Sequence, residues 1–406
     1  MPQNLKRTAP LCAAAILIYV CAGCAPREPD DPRRPIVENY AAIVLATYQD
    51  SLAAVRALDE AVDALIEHPS EATLAAARER WKASRIPYSY SEAFRFYAGP
   101  VDGEGGPEGR INGWPLDENH IDAVRTDDYN STLGMNIIGN PQQFPQINSA
   151  LIAAQNEAGG EKNIASGYHA IEFLLWGQDF NQPPQSAGQR PHADFINDGN
   201  PDSANARRGQ YLKATIALLI ADIESLIDDW RKPPPGSSNY RSSLVEGDVY
   251  TGLKRMFTGM ATLGEAEMAG ERMDVPLLSG DQEEEQSCFS DTTSADLRNN
   301  ALGIEHVYFG RYTRTDGKVI SGPSLAQLLA EKDPRMAEEM QARLTRTHQA
   351  LQALRDPFDQ EIQPDNAAGN ARVQAAIDAL RAQTQSIMRA ARTLEIFLSP
   401  IESDGD

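Results

Sequence analysis

Cysteine is scarce in this sequence. Four cysteines occur in 406 residues, and three of them, Cys12, Cys21 and Cys24, fall within the first 24 positions. Only Cys288 remains in the rest of the chain, which excludes an intramolecular disulfide framework and a four-cysteine metal site there. Stability must come from a packed core instead, and the roughly 380 residues after position 24 are enough to build one.

Positive charge is also in short supply. Lys and Arg number 37 against 58 Asp and Glu, which gives a formal net charge of −21 at pH 7. Such a surface repels nucleic acid and anionic lipid headgroups, so we expect no nucleic-acid partner and no polybasic membrane binding. The acidity is compatible with cation binding, but it serves solubility equally well and decides little on its own.

Alternation of apolar and polar residues with a period of two is rare, so we expect little strand. Apolar residues recur instead at three- and four-residue steps, as in residues 43–65 and again in residues 211–230. The turn between the first two helices contains Ser70, a plausible N-cap. The pattern predicts an all-α protein with long loops and at most a small hairpin, within residues 307–321.

The run Pro233-Pro234-Pro235, followed by Gly236 and two serines, is the best internal boundary in the chain. About four long helices precede it and three or four follow it, for which two antiparallel helical bundles packed together are the natural arrangement. We therefore predict an N-terminal bundle over residues 36–232 and a C-terminal bundle over residues 237–400.

The first 24 residues are typical of an export signal. Lys6 and Arg7 precede an apolar run at residues 11–20, which is too short to span a bilayer permanently. The sequence Cys21-Ala22-Gly23-Cys24 resembles a bacterial lipobox, although Cys21 stands where that pattern usually has leucine. We expect a lipoprotein signal peptide over residues 1–24; an ordinary signal peptide or an uncleaved anchor is the alternative.

The expected lipid anchor is Cys24, which would tie the protein to a membrane of the bacterial cell envelope. The residue after it is Ala25 and not aspartate, which favours the outer membrane over the inner one. Residues 25–35 are rich in proline and charge, so we expect them to form a tether between the anchor and the body.

One histidine and one glutamate stand out in the helical pattern. His169 and Glu172 lie three residues apart in a markedly apolar segment, so a helix would place them on one face. Imidazole and carboxylate together suit zinc, iron or manganese. The spacing alone is weak evidence for a functional site, because His68 and Glu71 repeat it at a helix boundary. The apolar setting of His169 and Glu172 is stronger evidence, because burying an unpaired charge is costly.

The common zinc-peptidase pattern H-E-x-x-H is absent. The inverted pattern H-x-x-E-H begins at His169 but has Phe173 where its second histidine belongs. A peptidase would have to recruit His120, His192 or His306 from elsewhere in the chain, and nothing in the spacing indicates this.

Several stretches together resemble the imelysin family. The central one is the G-x-H-x-x-E segment that begins at Gly167 and runs on through Phe-Leu-Leu-Trp-Gly-Gln-Asp to residue 179. The others are residues 81–100, 110–117, 270–273 and 287–291. The resemblance implies bacterial envelope proteins, often lipoproteins, of two helical-bundle domains with a site between them. Many members are regulated by iron and are thought to serve iron uptake or sensing, and members often carry a metallopeptidase label.

The resemblance also implies a site. Its motif places candidate metal ligands at His169 and Glu172, and we add Glu92 as a nearby acid. The expected cofactor is a divalent or ferric metal ion, iron first and zinc as the alternative, bound free or as a chelate. The residues expected to line the pocket are Gly167, Arg110, Trp114, Asp117, Arg272 and Asp291. Glycine at position 167 would let another segment approach the helix closely.

The function expected from these observations is metal or metal-chelate binding in iron uptake or iron-regulated physiology, with iron-transport components as possible partners. The first alternative is a metal-dependent peptidase that acts on polypeptides. The second is a non-catalytic scaffold whose site is vestigial, which would neither bind metal nor cleave anything.

Overall fold

The computed structural model describes residues 31–124, 136–180 and 186–401. The expected signal peptide, the expected lipidation site Cys24 and most of the expected tether lie outside these residues. Within the described ranges, no helix combines the length and the apolar character that crossing a membrane requires.

Helices make up nearly all of the regular structure in these ranges, which confirms the predicted all-α class. The α-helices are α1 (Arg34–Glu67), α2 (Glu71–Ser91), α3 (Glu108–Ile111), α4 (Glu118–Ile121), α5 (Ser149–Gln155), α6 (Gly167–Trp176), α7 (Ala204–Trp230), α8 (Tyr240–Glu246), α9 (Val249–Thr262), α10 (Val275–Ser279), α11 (Thr293–Phe309), α12 (Leu325–Lys332), α13 (Pro334–Ala353), α14 (Phe358–Ile362) and α15 (Ala367–Thr393). Short 3-10 turns occupy Glu92–Phe94, His192–Phe195 and Gln282–Glu284. The expected hairpin is present as β1 (Arg311–Thr313) and β2 (Val319–Ser321), paired antiparallel.

Local sequence explains the first helix boundary. Helix α1 ends at Glu67, just before His68 and Pro69, and Ser70 then caps α2 as predicted. The Ser70 hydroxyl accepts the N–H of Thr73, while the Thr73 hydroxyl accepts the N–H of Ser70. This reciprocal pair satisfies two N–H groups that a helix start leaves free.

The core joins helices from both sides of the proline run at residues 233–235. Helix α1 packs along α2 and α7, and α13 packs along α15. Helix α2 also packs against α11, so the two predicted bundles contact each other, and the chain after Pro32 forms one compact unit. The division into two separate domains stays a prediction.

Helix α9 continues into a π-helical stretch, Leu263–Asp274, which we call the π segment. Apolar residues also recur at helical spacing over residues 250–273, which predicts a single α-helix there. A π-helix closes its hydrogen bonds five residues apart, so it places residues i and i+5 close together. Glu267 and Arg272 stand in this relation, and Arg272 Nη2 donates to Glu267 Oε2 at 2.8 Å.

Candidate functional site

Helix α6 carries the central motif and begins at Gly167. This glycine has φ +81°, and a Cβ there would lie 2.3 Å from the carbonyl oxygen of Ile111. A side chain cannot be accommodated at that distance, so the close approach expected from the sequence is present and requires glycine. The contact holds the loop around α3 against the start of α6.

His169 and Glu172 face each other on α6, and both side chains are completely buried. His169 Nδ1 lies 2.8 Å from Glu172 Oε2. The other carboxylate oxygen, Oε1, accepts the N–H and the hydroxyl of Ser290 at 2.9 and 2.6 Å. His169 Nε2 is buried and has no hydrogen-bond partner in the described part of the chain.

Burial dominates the protonation of this pair. It lowers the pKa of His169 to about 3, and the positive charge of Arg85 acts in the same direction. Burial also raises the pKa of Glu172 to about 8, although the hydrogen bonds from Ser290 oppose this. Both shifts favour the neutral form of each group.

Glu92, the third predicted ligand, lies in a different environment. Its Oε2 accepts hydrogen bonds from Arg272 and Arg95, and its Oε1 accepts one from Asn300. Burial alone would raise the pKa of Glu92, but the charges of Arg272 and Arg95 outweigh it and lower the pKa to about 2. The Glu92 carboxylate is therefore already paired with two guanidinium groups. A role for Glu92 as a metal ligand stays a prediction.

A buried ion pair between Arg85 and Asp296 connects α2 to α11. Arg85 Nη2 lies 3.0 Å from Asp296 Oδ2, and both side chains are only 2% exposed. Ser287 and Ser89 donate to the two oxygens of the same carboxylate at 2.6 and 3.1 Å. Arg85 Nη1 donates to Asn112, so the pair also reaches the loop that precedes the motif.

A cavity of about 400 Å³ lies beside this network and is lined by Trp114 and Arg272, two of the predicted pocket residues. The other two predicted pocket residues from the stretch at residues 110–117 bind elsewhere in the protein and do not line this cavity. Arg110 binds Asp222 through two hydrogen bonds, and Asp117 caps α4. Arg95, Lys162 and Arg272 are the cations of the lining, which also contains Glu108, Glu157, Glu161, Glu267, Glu271 and Glu284. The cavity is therefore acidic.

Asp291, the last predicted pocket residue, belongs to another group. Asp179, Asp291 and Asp359 each contribute one carboxylate oxygen, and these oxygens lie within 4.8 Å of one another. We call this group the aspartate cluster. Among the described residues it is the only set of three histidine, cysteine or acidic side chains with ligand atoms this close. His169 and Glu172 thus have no third such neighbour there.

Sequence reasoning missed several residues of the site. Asp296 and Asp359 were not singled out, and Ser290 entered only as part of the stretch at residues 287–291, since each meets its partners only after the chain has folded. Arg85 did offer a signal, because an arginine within the apolar stripe of α2 must find a buried partner.

Comparison with known proteins agrees with the predicted family and fold. The family model for Imelysin matches residues 44–387. Iron-regulated protein A of Synechococcus elongatus is 24% identical over 408 residues, which cover 98% of this chain and 94% of that protein.

Two crystal structures share the fold. One, from Parabacteroides distasonis and described as an iron-regulated protein A precursor, has a TM-score of 0.68 at 22% identity and covers 92% of this chain and 97% of its own. The other, an imelysin-like protein of Psychrobacter arcticus, has a TM-score of 0.62 at 15% identity and covers 91% and 99%. Because the family model spans most of the sequence, the chain belongs to the imelysin family.

Proposed function

We propose that this protein binds a metal ion or a metal-containing ligand at a site that includes His169, and that it serves iron acquisition or iron-regulated physiology. The observation that carries the proposal is the buried Nε2 atom of His169, which has no partner among the described residues. Such orphaned polar groups are uncommon in folded proteins and ask for a functional explanation. The name of the Synechococcus relative supports iron as the metal.

The protonation of the pair suits this role. A metal binds imidazole through an unprotonated nitrogen, and the lowered pKa of His169 keeps the ring neutral at pH 7. Glu172 contacts the opposite ring nitrogen, Nδ1. A carboxyl group in this position fixes the orientation of a ligating histidine, which presents Nε2 to a metal when Nδ1 carries the ring proton and donates it to Glu172. We therefore assign Glu172 to orient His169, with Ser290 holding Glu172 in turn.

The residues fit a metal-containing ligand better than a bare ion in a closed cage. One imidazole nitrogen is available, and the described chain adds no third histidine, cysteine or acid within ligating distance of His169 and Glu172. When bound, the metal would act as a Lewis acid toward the oxygen and nitrogen atoms of its chelator.

No observation favours the peptidase alternative. His120 Nε2 lies 3.0 Å from the carbonyl oxygen of Gln155, and His192 Nδ1 lies 2.8 Å from Glu71. His306 packs edge-on against Tyr90 and Tyr312. None of these histidines joins His169, so the three protein ligands of a catalytic zinc site are not assembled in the described chain.

We also propose that Cys24 carries lipid and holds the protein at the outer membrane, where iron-transport components would be its partners. Replacing Cys24 by alanine should release the protein from the membrane fraction and abolish labelling by a radioactive fatty acid. Unchanged labelling in Cys24→Ala would contradict this assignment.

The test of metal binding uses the full chain in detergent, purified without chelator. Elemental analysis is followed by titration with ferrous, ferric, zinc and manganese ions, each alone and as its citrate complex. Wild type is compared with His169→Ala and Glu172→Gln. We expect His169→Ala to abolish binding and Glu172→Gln to weaken it about 10- to 100-fold, as losses of orienting partners do.

Circular dichroism of each variant checks that the fold is intact. Wild type that binds none of these ions or complexes would contradict the proposal and favour the scaffold alternative. Equal affinity in wild type and a folded His169→Ala would place the metal elsewhere. Cleavage of a denatured protein substrate, sensitive to chelator and lost in His169→Ala, would restore the peptidase alternative.

A further inference from the structure

The aspartate cluster takes no part in the proposed function, and three separate segments build it. Asp179 follows α6 by three residues, Asp291 lies two residues before α11, and Asp359 lies in α14. Asp179 and Asp359 are 4% and 1% exposed, whereas Asp291 is only partly buried. The cluster therefore has a closed side and a side that reaches the surface.

Neighbouring contacts fix the two segments that carry Asp179 and Asp291. The side chain of Gln282 donates to the carbonyl oxygen of Asp179 at 2.9 Å. The Phe289 ring packs on Phe173 of α6 with centroids 5.3 Å apart, and Ser290 donates to Glu172. The rest of the fold thus holds these two segments in place beside α6.

Two buried acids at this place have oxygens that nothing in the described chain satisfies. Asp359 Oδ1 accepts the N–H of Gln360 at 2.7 Å, but Asp359 Oδ2 is buried and has no partner. Glu285 is 1% exposed, and neither of its carboxylate oxygens has a partner. The nearby Thr293 hydroxyl opposes part of the pKa rise that burial causes at Glu285. It does not reach either carboxylate oxygen in hydrogen-bond geometry.

The electrostatics agree with this geometry. Burial, reinforced by the negative charges of Asp359 and Asp179, raises the pKa of Asp291 to about 8. Burial also raises the pKa of Glu285, and the three aspartates of the cluster add to that effect. Lys82 opposes the shift at Asp291 but is the weakest of the named contributions. Carboxylates so close cannot all be ionised without a countercharge.

We propose that the aspartate cluster, with Glu285 as a neighbouring buried acid, is a second cation site that binds a hard divalent ion such as Ca²⁺. Hard cations prefer carboxylate oxygens, whereas imidazole suits transition metals, so the cluster and His169 select different ions. Two oxygens that both contact Ca²⁺ at its usual distance are at most about 5 Å apart, which the spacing of the cluster satisfies. This site does not depend on the function proposed for His169.

The test measures Ca²⁺, Mg²⁺ and Mn²⁺ binding to the metal-free full chain in detergent, by titration calorimetry and by the melting temperature. We expect Ca²⁺ to raise the melting temperature of wild type. Asp359→Asn and Asp291→Asn should weaken binding at least about tenfold, because each removes a charged oxygen ligand. The matched control Asp378→Asn changes an exposed acid on α15 and should leave binding unchanged.

His169→Ala separates the two proposals. It should keep full Ca²⁺ affinity while losing the transition metal, and Asp359→Asn should show the reverse. Without metal, Asp359→Asn and Asp291→Asn should melt at or above the temperature of wild type, since each relieves repulsion between like charges. Lower melting of the metal-free variants would show that the protein itself satisfies these carboxylates, and would overturn the proposal. The proposal would also be overturned if wild type bound none of Ca²⁺, Mg²⁺ and Mn²⁺ at millimolar concentration, or if the asparagine variants bound as tightly as wild type.

Discussion

Glu92 and Glu172 are both completely buried, yet their carboxyl groups are shifted in opposite directions. The pKa of Glu92 falls to about 2 and that of Glu172 rises to about 8, although burial alone would raise both. The difference lies in the partners, because Glu92 contacts two guanidinium groups whereas Glu172 contacts an imidazole and a serine. Burial sets the cost of a charge, and the neighbouring side chains decide whether the charge is kept.

The comparison separates two kinds of buried polar structure in this protein. The ion pairs of Glu92 with Arg272 and of Arg85 with Asp296 neutralise themselves. In the pair of His169 and Glu172, burial favours the neutral form of both groups, and one ring nitrogen has no partner in the described chain. Charged, matched groups hold the helices together, and neutral or unmatched groups are the places where ligands are expected.

The largest effect is expected from breaking the charged side of this comparison. Arg272→Met removes the guanidinium that contacts both Glu92 and Glu267, and it leaves the buried Glu92 with Arg95 as its remaining cation. We expect the free energy of unfolding to fall by about 3–5 kcal/mol, since removing one partner strands a buried charge. Urea denaturation at neutral pH measures this loss.

An exposed arginine provides the control for that measurement. Arg56 pairs with Glu224 at 2.5 Å, but the two side chains are 58% and 47% exposed. Arg56→Met should therefore cost less than about 1 kcal/mol. Equal losses of unfolding free energy in the two variants would show that the buried ion pair stabilises the protein no more than the exposed one.

The next effect is a pair of pH dependences with opposite signs. The folded pKa of Glu92 lies below its ordinary value of 4.5, so its contribution to stability is present above about pH 4.5 and is lost as the pH falls toward 2. The folded pKa of Glu172 lies above 4.5, so its contribution is present below about pH 4.5 and is lost as the pH rises through about 8.

Comparing wild type with Glu92→Gln and with Glu172→Gln isolates these two contributions. The advantage of wild type over Glu92→Gln should shrink on acidification, by about 3 kcal/mol in full. The stability of wild type relative to Glu172→Gln should fall on alkalinisation, because glutamine mimics the uncharged carboxyl group and does not ionise. Denaturant midpoints at several pH values, with chelator present, provide the measurement. The same sign in both series would contradict the contrast between the two glutamates.

A smaller effect is expected at Ser290. Ser290→Ala removes the hydroxyl that donates to Glu172 Oε1 and leaves the backbone N–H bond in place. We expect a loss of about 1–2 kcal/mol, because a buried acceptor loses one donor, and a further rise in the pKa of Glu172. Thermal and urea unfolding measure the first effect. Ser237→Ala, at an exposed turn, should change stability by less than about 0.5 kcal/mol.

Much of the fold could be predicted because its signals are local. Apolar residues at helical spacing predicted the long helices, and Ser70 marked a helix start through hydrogen bonds within three residues. The contact between His169 and Glu172 was predictable for the same reason, since residues three apart on a helix are neighbours.

The remainder depends on contacts between distant parts of the chain. Arg85 and Asp296 are 211 positions apart, and the oxygens of the aspartate cluster come from three segments. No spacing rule connects such residues in a single sequence. Glu92 was predicted as a nearby acid of the metal site, which stays a prediction, and its two arginine partners became visible only in the structure.

The π segment has a consequence for the direction in which Arg272 points. In an α-helix, two residues five apart project about 140° from each other around the axis. The π segment makes this angle much smaller, so that Glu267 and Arg272 project toward the same side and Arg272 also reaches Glu92. The backbone conformation thus sets the direction in which each side chain projects from the helix axis. That direction determines which carboxylates Arg272 can neutralise. A reversion of the segment to α-helix would turn Arg272 away from these acids without altering one atom of its side chain.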